Sequence, residues 1–139
     1  MVSRLNEIVL DCPDPGVLAP FWCAALGLQV IDADNEVVEL YDRVLDDEAR
    51  LAELRAGPVV PTLVLVRTPD QGDHRKSRVH LDISPIDRSH DEEVARLLAL
   101  GATHADIGQT GDESWTVLAD PAGNVFCVLR SLAPGHVQA

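Results

Sequence analysis

The chain has 139 residues, 46% of them hydrophobic and 24% charged, an ordinary balance for one globular domain that buries its own core. Its 23 acidic and 11 basic residues give a formal net charge of -12, which argues against duplex nucleic acid and anionic membranes as partners. No apolar run approaches the ~20 residues of a membrane span, residues 1–6 lack the layout of a signal peptide, and the three cysteines form no CxxC pair. A reducing cytoplasm is therefore the expected location, and neither a zinc finger nor a disulfide framework is indicated.

Strand and helix signals alternate in the first half of the chain. Leu5–Asp11 shows the alternation of a strand, and Asp14 stands where an N-cap precedes a first helical proline. This helix ends at Gly27, and Pro20 inside it predicts either a kink or a loose first turn before a helix that begins near Ala19. The pattern further predicts strands over residues 28–31, 36–41 and 62–67 and a short helix over residues 46–56.

The second half opens with a predicted strand over Arg78–Ser84. Alternation gives this strand an apolar face, expected to lie under a helix, and a polar face that carries His80 and Asp82. Ser89 and Glu92 form an S-x-x-E capping box at the start of the next helix. Later strands are predicted over residues 103–106, 114–119 and 125–130, with a tight turn over residues 120–124. The residues expected in the core are Ile8, Leu10, Phe21, Trp22, Val79, Leu81, Ile83 and Leu97, and those expected at the surface are His74, His90, His104 and His136.

The two halves follow one plan: a strand, a helix that ends in Leu-Gly, and then several more strands. The spacing from Glu7 to Gly27 is 20 residues, and the spacing from His80 to Gly101 is 21. Residue identity between the halves is low, so the match is one of layout. The layout predicts a duplicated β-α-β-β-β unit whose copies bury one face each.

The predicted fold class is therefore α+β, built from two tandem βαβββ modules within a single domain of residues 1–139. The modules span about residues 4–68 and 77–132, and the helix at 46–56 is an insertion in the first of them. Two such modules side by side are expected to form a concave groove lined by the strand faces that do not pack on helices. Strand parity directs Glu7, Val9, His80, Asp82 and alternate residues of the last strand into this groove.

Three groups of short sequence motifs accompany this layout. They are Asp14-Pro15 with Phe21-Trp22 and Leu26-Gly27, then Arg78-Val79-His80-Leu81-Asp82, then Trp115 with Asp120-Pro121-Ala122-Gly123-Asn124. Together they resemble the vicinal oxygen chelate superfamily of glyoxalase, bleomycin-resistance and extradiol dioxygenase proteins, and within it the small bacterial glyoxalase-like domains. The resemblance covers about Leu5 to Leu132 and implies the tandem βαβββ fold. It does not name a reaction, because the superfamily includes isomerases, dioxygenases, epoxide-opening transferases and drug binders.

The resemblance also implies positions for metal ligands on the first and last strands of each module. Matched by position, these are Glu7, His80 and Cys127, while the fourth falls on an apolar Val64 or Leu65. Because two positions lack their usual ligand, we expect a metal-free cavity. If a divalent metal binds, the resemblance implies zinc or iron held by Glu7, His80 and Cys127.

Without a metal, proton chemistry falls to Glu7 and His80 as a candidate catalytic pair of general base and acid. The alternative is a hydrogen-bonded pair that only orders the groove. Three further residues are candidates for ligand binding. Trp115 would stack on a ligand, Cys127 is either a site residue or a small buried hydrophobe, and Asp82 either serves the ligand or pairs with Arg78 or Lys76.

These observations predict a small cytosolic glyoxalase-like protein that binds a small organic molecule in its groove, as a lyase, isomerase or dioxygenase. An alternative is a non-catalytic ligand binder, such as an antibiotic-sequestering protein of the bleomycin-resistance type, for which the acidic surface favours a cationic drug. A structural domain with a filled groove is a third reading. The expected partners are the small-molecule ligand and a second copy of the chain in a homodimer.

Overall fold

The computed structural model describes residues 2–69 and 79–130. His74, Lys76, Arg78 and His136, together with the start of the strand predicted from residue 78, lie outside the described residues. The chain divides into two compact units, Met1–Asp70 and Gln71–Ala139. Each unit carries one four-stranded sheet, so the α+β class and the tandem βαβββ arrangement are confirmed.

The first unit has the strand order β1-β4-β3-β2, with β1 parallel to β4 and the other pairs antiparallel. Its elements are β1 (Glu7–Cys12), α1 (Pro15–Leu26), β2 (Gln29–Ala33), β3 (Val37–Tyr41), α2 (Asp47–Ala56) and β4 (Thr62–Arg67). The inserted helix α2 lies between β3 and β4 in the chain, as predicted, and Asp46 caps it by accepting a hydrogen bond from the Ala49 amide at 2.8 Å.

Helix α1 covers one face of the first sheet and supplies four buried hydrophobic residues to its core, Leu18, Ala19, Phe21 and Trp22. The Asp14 carboxylate accepts from the Gly16 amide at 3.0 Å, and Gly27 ends the helix with φ +69°, a conformation that favours glycine. The helix begins at Pro15 and runs through Pro20, so of the two predicted alternatives the late start near Ala19 is wrong. Trp22 is fully buried as predicted, and its ring packs edge-on against Phe21 with centroids 5.1 Å apart.

The second unit repeats the same order as β5-β8-β7-β6, with β5 parallel to β8. Its elements are β5 (Leu81–Ile83), α3 (His90–Ala99), β6 (Thr103–His104), β7 (Trp115–Ala119) and β8 (Val125–Leu129). None of the helices in residues 2–69 and 79–130 combines the length and the apolar character that crossing a bilayer requires.

Two predictions about burial in the second unit are wrong. Val79 is 79% exposed, because β5 begins only at Leu81 and residue 79 lies outside the sheet. The His90 side chain is 8% exposed rather than at the surface, since its Nε2 is hydrogen-bonded to Thr116 Oγ1 at 3.1 Å. His104 is exposed, as predicted.

The remaining core predictions are met to different degrees. Phe21 and Leu97 are buried. The β-strand residues Ile8, Leu10, Leu81 and Ile83 are only half-buried, since β1 and β5 lie at the edges of their sheets. The capping box of α3 is confirmed: the Glu92 amide donates to Ser89 Oγ at 3.2 Å, and the Ser89 amide donates to the Glu92 carboxylate at 2.9 Å.

Candidate ligand site

The candidate site lies on the face of the second sheet turned away from α3, which we call the distal face of the second sheet. Parallel pairing places Asp82 beside Cys127, and antiparallel pairing places Val117 beside the same cysteine. Paired residues in neighbouring strands project from the same face, so Asp82, Cys127 and Val117 form one row across the sheet. Trp115 and Leu129 form the next row along the strands.

His80 reaches this face from the residue before β5. Its Nε2 lies 3.0 Å from Asp82 Oδ1, and the two side chains are 25% and 33% exposed. Because an ionised carboxylate only accepts hydrogen bonds, this contact requires a hydrogen on Nε2, and Nδ1 is the remaining lone-pair nitrogen of a neutral ring. Asp82 thus fixes the tautomer and the orientation of His80, which is what a proton-transferring imidazole needs.

Cys127 and its neighbours form an apolar floor beside the polar pair. Cys127 is 2% exposed and clusters with Val117 and Leu129, against which Ala105, Ile107, Trp115 and Val125 pack. All three cysteines of the chain are free thiols. The site therefore combines a partly exposed imidazole–carboxylate pair with an apolar surface and an aromatic ring, the composition typical of small-molecule sites.

The tight turn before β8 holds this arrangement in register. Asp120 is 3% exposed, and its Oδ1 accepts hydrogen bonds from the Ala122 and Asn124 amides, each at 2.9 Å. Its Oδ2 accepts a third from Asn124 Nδ2 at 3.0 Å. The turn joins β7 to β8, and a slip of one residue there would turn Cys127 to the opposite face.

The donor atoms of the site fit a divalent metal. A His80 ring nitrogen, an Asp82 carboxylate oxygen and Cys127 Sγ lie within 4.8 Å of one another, the one such trio of ligand types in residues 2–69 and 79–130. Zinc takes nitrogen, carboxylate oxygen and thiolate ligands, and catalytic zinc keeps three protein ligands and an open position. This trio differs from the set that the resemblance implies, because Asp82 stands in place of Glu7.

Glu7 lies in the first unit, on the face of that sheet turned away from α1, which we call the distal face of the first sheet. Its pairing partner on β4 is Thr62, and Val64 follows on the same face. Leu65 is fully buried and projects to the opposite face, so of these two residues only Val64 shares a face with Glu7. That Glu7 shares one cavity with His80 and Cys127 stays a prediction.

Glu7 also lines a cleft of about 190 Å³ that the sequence did not predict. The other lining residues are Asn6, Ile31, Glu39, Tyr41, Leu45, Asp47, Arg50 and Thr62. Helix α2 contributes one wall, since the Arg50 guanidinium lies 4.6 Å from the centre of the Tyr41 ring. The one signal for this cleft in the sequence was Glu39, a lone carboxylate within the apolar strand β3.

Comparison with known proteins places these features in one family. A family model described as glyoxalase-like domain matches residues 7–129. Comparison with curated proteins gives no match.

Solved structures with the same fold are distant in sequence. A fosfomycin resistance protein, FosX from Listeria monocytogenes, solved with Mn(II) and dihydroxypropylphosphonic acid, is 15% identical with a TM-score of 0.61, over 95% of this chain and 94% of that one. The bleomycin-binding protein of Streptomyces verticillus, solved with copper(II)-bleomycin, is 18% identical with a TM-score of 0.54, over 94% and 99%. A glyoxalase/bleomycin resistance protein/dioxygenase family enzyme of Burkholderia phytofirmans is 17% identical with a TM-score of 0.58, over 91% and 97%.

These likenesses show the fold, and the family model carries the assignment. With two βαβββ units and a match that spans both sheets, the chain belongs to the glyoxalase-like domain family of the vicinal oxygen chelate superfamily.

Proposed function

We propose that the protein binds a small organic molecule on the distal face of the second sheet and transfers a proton through His80. The observation that carries this proposal is the 3.0 Å contact between His80 Nε2 and Asp82 Oδ1 beside the apolar floor of Cys127. A positioned imidazole at a half-exposed site is a general base or acid for an enolisable carbon, the chemistry of a lyase or an isomerase. Trp115, which packs on the same floor, offers a ring to the ligand.

A divalent metal would be held at this site by His80, Asp82 and Cys127. When bound, it would supply a Lewis acid that stabilises an enolate-like negative charge, and an open position of the kind that a dioxygenase uses. Without the metal, Asp82 orients the imidazole for proton transfer. With it, His80 and Asp82 would hold the ion instead, and in both cases the apolar floor excludes water from one side of the ligand.

A second candidate function is non-catalytic ligand binding. The observation that favours it is Val64, which occupies the first-unit position where the superfamily's metal enzymes carry a carboxylate, next to Thr62 and opposite Glu39. The bleomycin-binding protein of Streptomyces verticillus has the same fold. In this case the protein would protect by binding one ligand per site and would release that ligand unchanged.

Native mass spectrometry of protein purified without chelator separates these functions. We expect a small-molecule adduct that is lost in His80→Gln and Asp82→Asn and retained in His104→Gln, the matched change at an exposed histidine of the same unit. Incubation with the released molecule then distinguishes an enzyme, which forms a new mass, from a binder, which does not. An adduct that survives both His80→Gln and Asp82→Asn would contradict the proposal.

We also propose that the protein forms a homodimer in the cytoplasm. The described residues leave large apolar side chains exposed, among them Val9, Val17, Val30 and Ile86, and a second copy would cover some of them. A biological contact should bury more than roughly 1,000 Å². Sedimentation at micromolar concentration tests the dimer, and a monomer there would contradict it. Cell fractionation tests the location.

A further inference from the structure

The cleft on the distal face of the first sheet has no assigned ligand. Three carboxylates line it: Glu7 on β1, Glu39 on β3 and Asp47 at the start of α2. Within residues 2–69 and 79–130, none of the three forms an ion pair or accepts a hydrogen bond. A cleft with three uncompensated negative charges attracts a cation and repels an anion.

The charges act on one another across the cleft. Burial raises the pKa of Glu39, and the negative charges of Asp32, Glu7 and Asp47 raise it further. Asp32 lies directly opposite Glu39 in the β2–β3 pairing, so like charges face each other across the strands. A bound positive charge would relieve this repulsion.

Among the described residues, Arg50 is the one cationic side chain that lines the cleft, and it interacts with groups other than the three carboxylates. The Arg50 guanidinium donates to Asn6 Oδ1 at 3.0 Å and to the Asn6 carbonyl at 2.7 Å, and it pairs with Glu53 at 3.4 Å. It also lies over the Tyr41 ring, which favours its present position. Arg50 therefore forms a wall of the cleft without neutralising the three carboxylates.

A second observation, independent of the acidic charge, also points to a ligand. Thr62 is 7% exposed and lines the cleft beside Glu7, and its hydroxyl has no hydrogen-bond partner among the described residues. No side-chain polar atom in the described part of the chain is both fully buried and unpartnered. The Thr62 hydroxyl therefore opens into the cleft, where it offers a polar contact that the protein does not use.

We infer that this cleft binds a small organic cation with more than one ammonium group, the groups distributed among Glu7, Glu39 and Asp47 and an N–H donated to the Thr62 hydroxyl. A single metal ion fits less well, because the three carboxylates are not among the ligand atoms that lie within 4.8 Å of one another in the described residues. An organic amine can span more widely spaced charges. The inference names a ligand class within the proposed function of small-molecule binding, and every lining residue belongs to the first unit.

The test titrates the full chain with putrescine, with butanediol as the neutral probe of the same length and with magnesium chloride as the inorganic cation. Calorimetry measures affinity, and amide NMR locates the contact. We expect putrescine to shift resonances of the cleft residues and butanediol to leave them unchanged. Glu39→Gln and Glu7→Gln should each weaken putrescine binding at least about tenfold, the effect of losing a charge-assisted hydrogen bond.

Glu48→Gln is the matched control, since it removes the same charge from an exposed position of α2 outside the cleft. Thr62→Val keeps the net charge and nearly the same volume, and we expect it to weaken binding severalfold. Equal weakening in Glu48→Gln, or magnesium binding as tight as putrescine, would overturn the inference. If butanediol bound as tightly as putrescine, the protein would still be a small-molecule binder, and only the assignment of a cationic ligand would be wrong.

Discussion

Replacing Asp120 with alanine is expected to lower the free energy of unfolding by about 3 kcal/mol. The Asp120 carboxylate is 3% exposed and accepts at least three hydrogen bonds, among them two from backbone amides and one from the Asn124 side chain. A hydrogen bond contributes about 1 kcal/mol net, and bonds to a charged acceptor contribute up to about 3 kcal/mol. Since Ala122 and Asn124 are half-exposed and water can reach their donors, we use the lower figure for each of the three bonds.

Urea-induced unfolding followed by circular dichroism and tryptophan fluorescence measures this effect. Trp115 lies on the strand before the turn and reports on the second unit, whereas Trp22 reports on the first. Asp120→Asn keeps one acceptor oxygen and is expected to fall between wild type and alanine. The exposed Asp112→Ala control, whose side chain accepts no bond in the described residues, should change stability by less than about 0.5 kcal/mol. An Asp120→Ala protein as stable as this control would refute the reasoning.

Three further predictions test the packing, the capping and the charge of the fold. Trp22→Ala should cost about 3–5 kcal/mol in chemical denaturation, because the ring is fully buried, and a loss below that of an ordinary surface substitution would contradict the assigned core. Ser89→Ala should cost about 1 kcal/mol in the same assay, because the first turn of α3 loses its capping bond. Glu39→Gln should raise stability at neutral pH by about 0.2–1 kcal/mol, since it removes a like charge opposite Asp32. The pKa of Glu39 in the folded protein lies above the ordinary 4.5. Ionisation of Glu39 therefore destabilises the fold fully at pH above the folded-state pKa and not at all at pH below 4.5. Unfolding curves across this range should therefore show the gain shrink as pH falls, and a gain that grows on acidification would contradict the assigned cause.

Local signals predicted most elements of the fold. The caps at Asp14 and Ser89 and the strand Thr62–Arg67 depend on neighbouring residues in the chain, and the structure has them as expected. The predicted start of β5 is too early. Sequence alternation continues through Val79, whereas pairing with β8 begins only at Leu81.

The sites show the same division between local and long-range information. Strand parity predicted that His80 and Asp82 share a face, because the spacing of two residues is a local property, whereas the alignment of Asp82 with Cys127 depends on the long-range pairing of β5 with β8. The burial of His90 and the cleft around Glu39 were not predicted. Both depend on contacts between distant segments, His90 with Thr116 and α2 with the first sheet, and no local pattern in the sequence specifies them.

The central claim is that a small molecule binds on the distal face of the second sheet. Amide NMR spectra recorded while low-molecular-mass metabolites are titrated into the full chain test it most directly. The account predicts shifts at Asp82, Trp115 and Cys127, with Leu118 and Val128 on the α3 side of the same strands unaffected and the shifts absent in His80→Gln. Shifts confined to the α3 side, or unchanged shifts in His80→Gln, would contradict it.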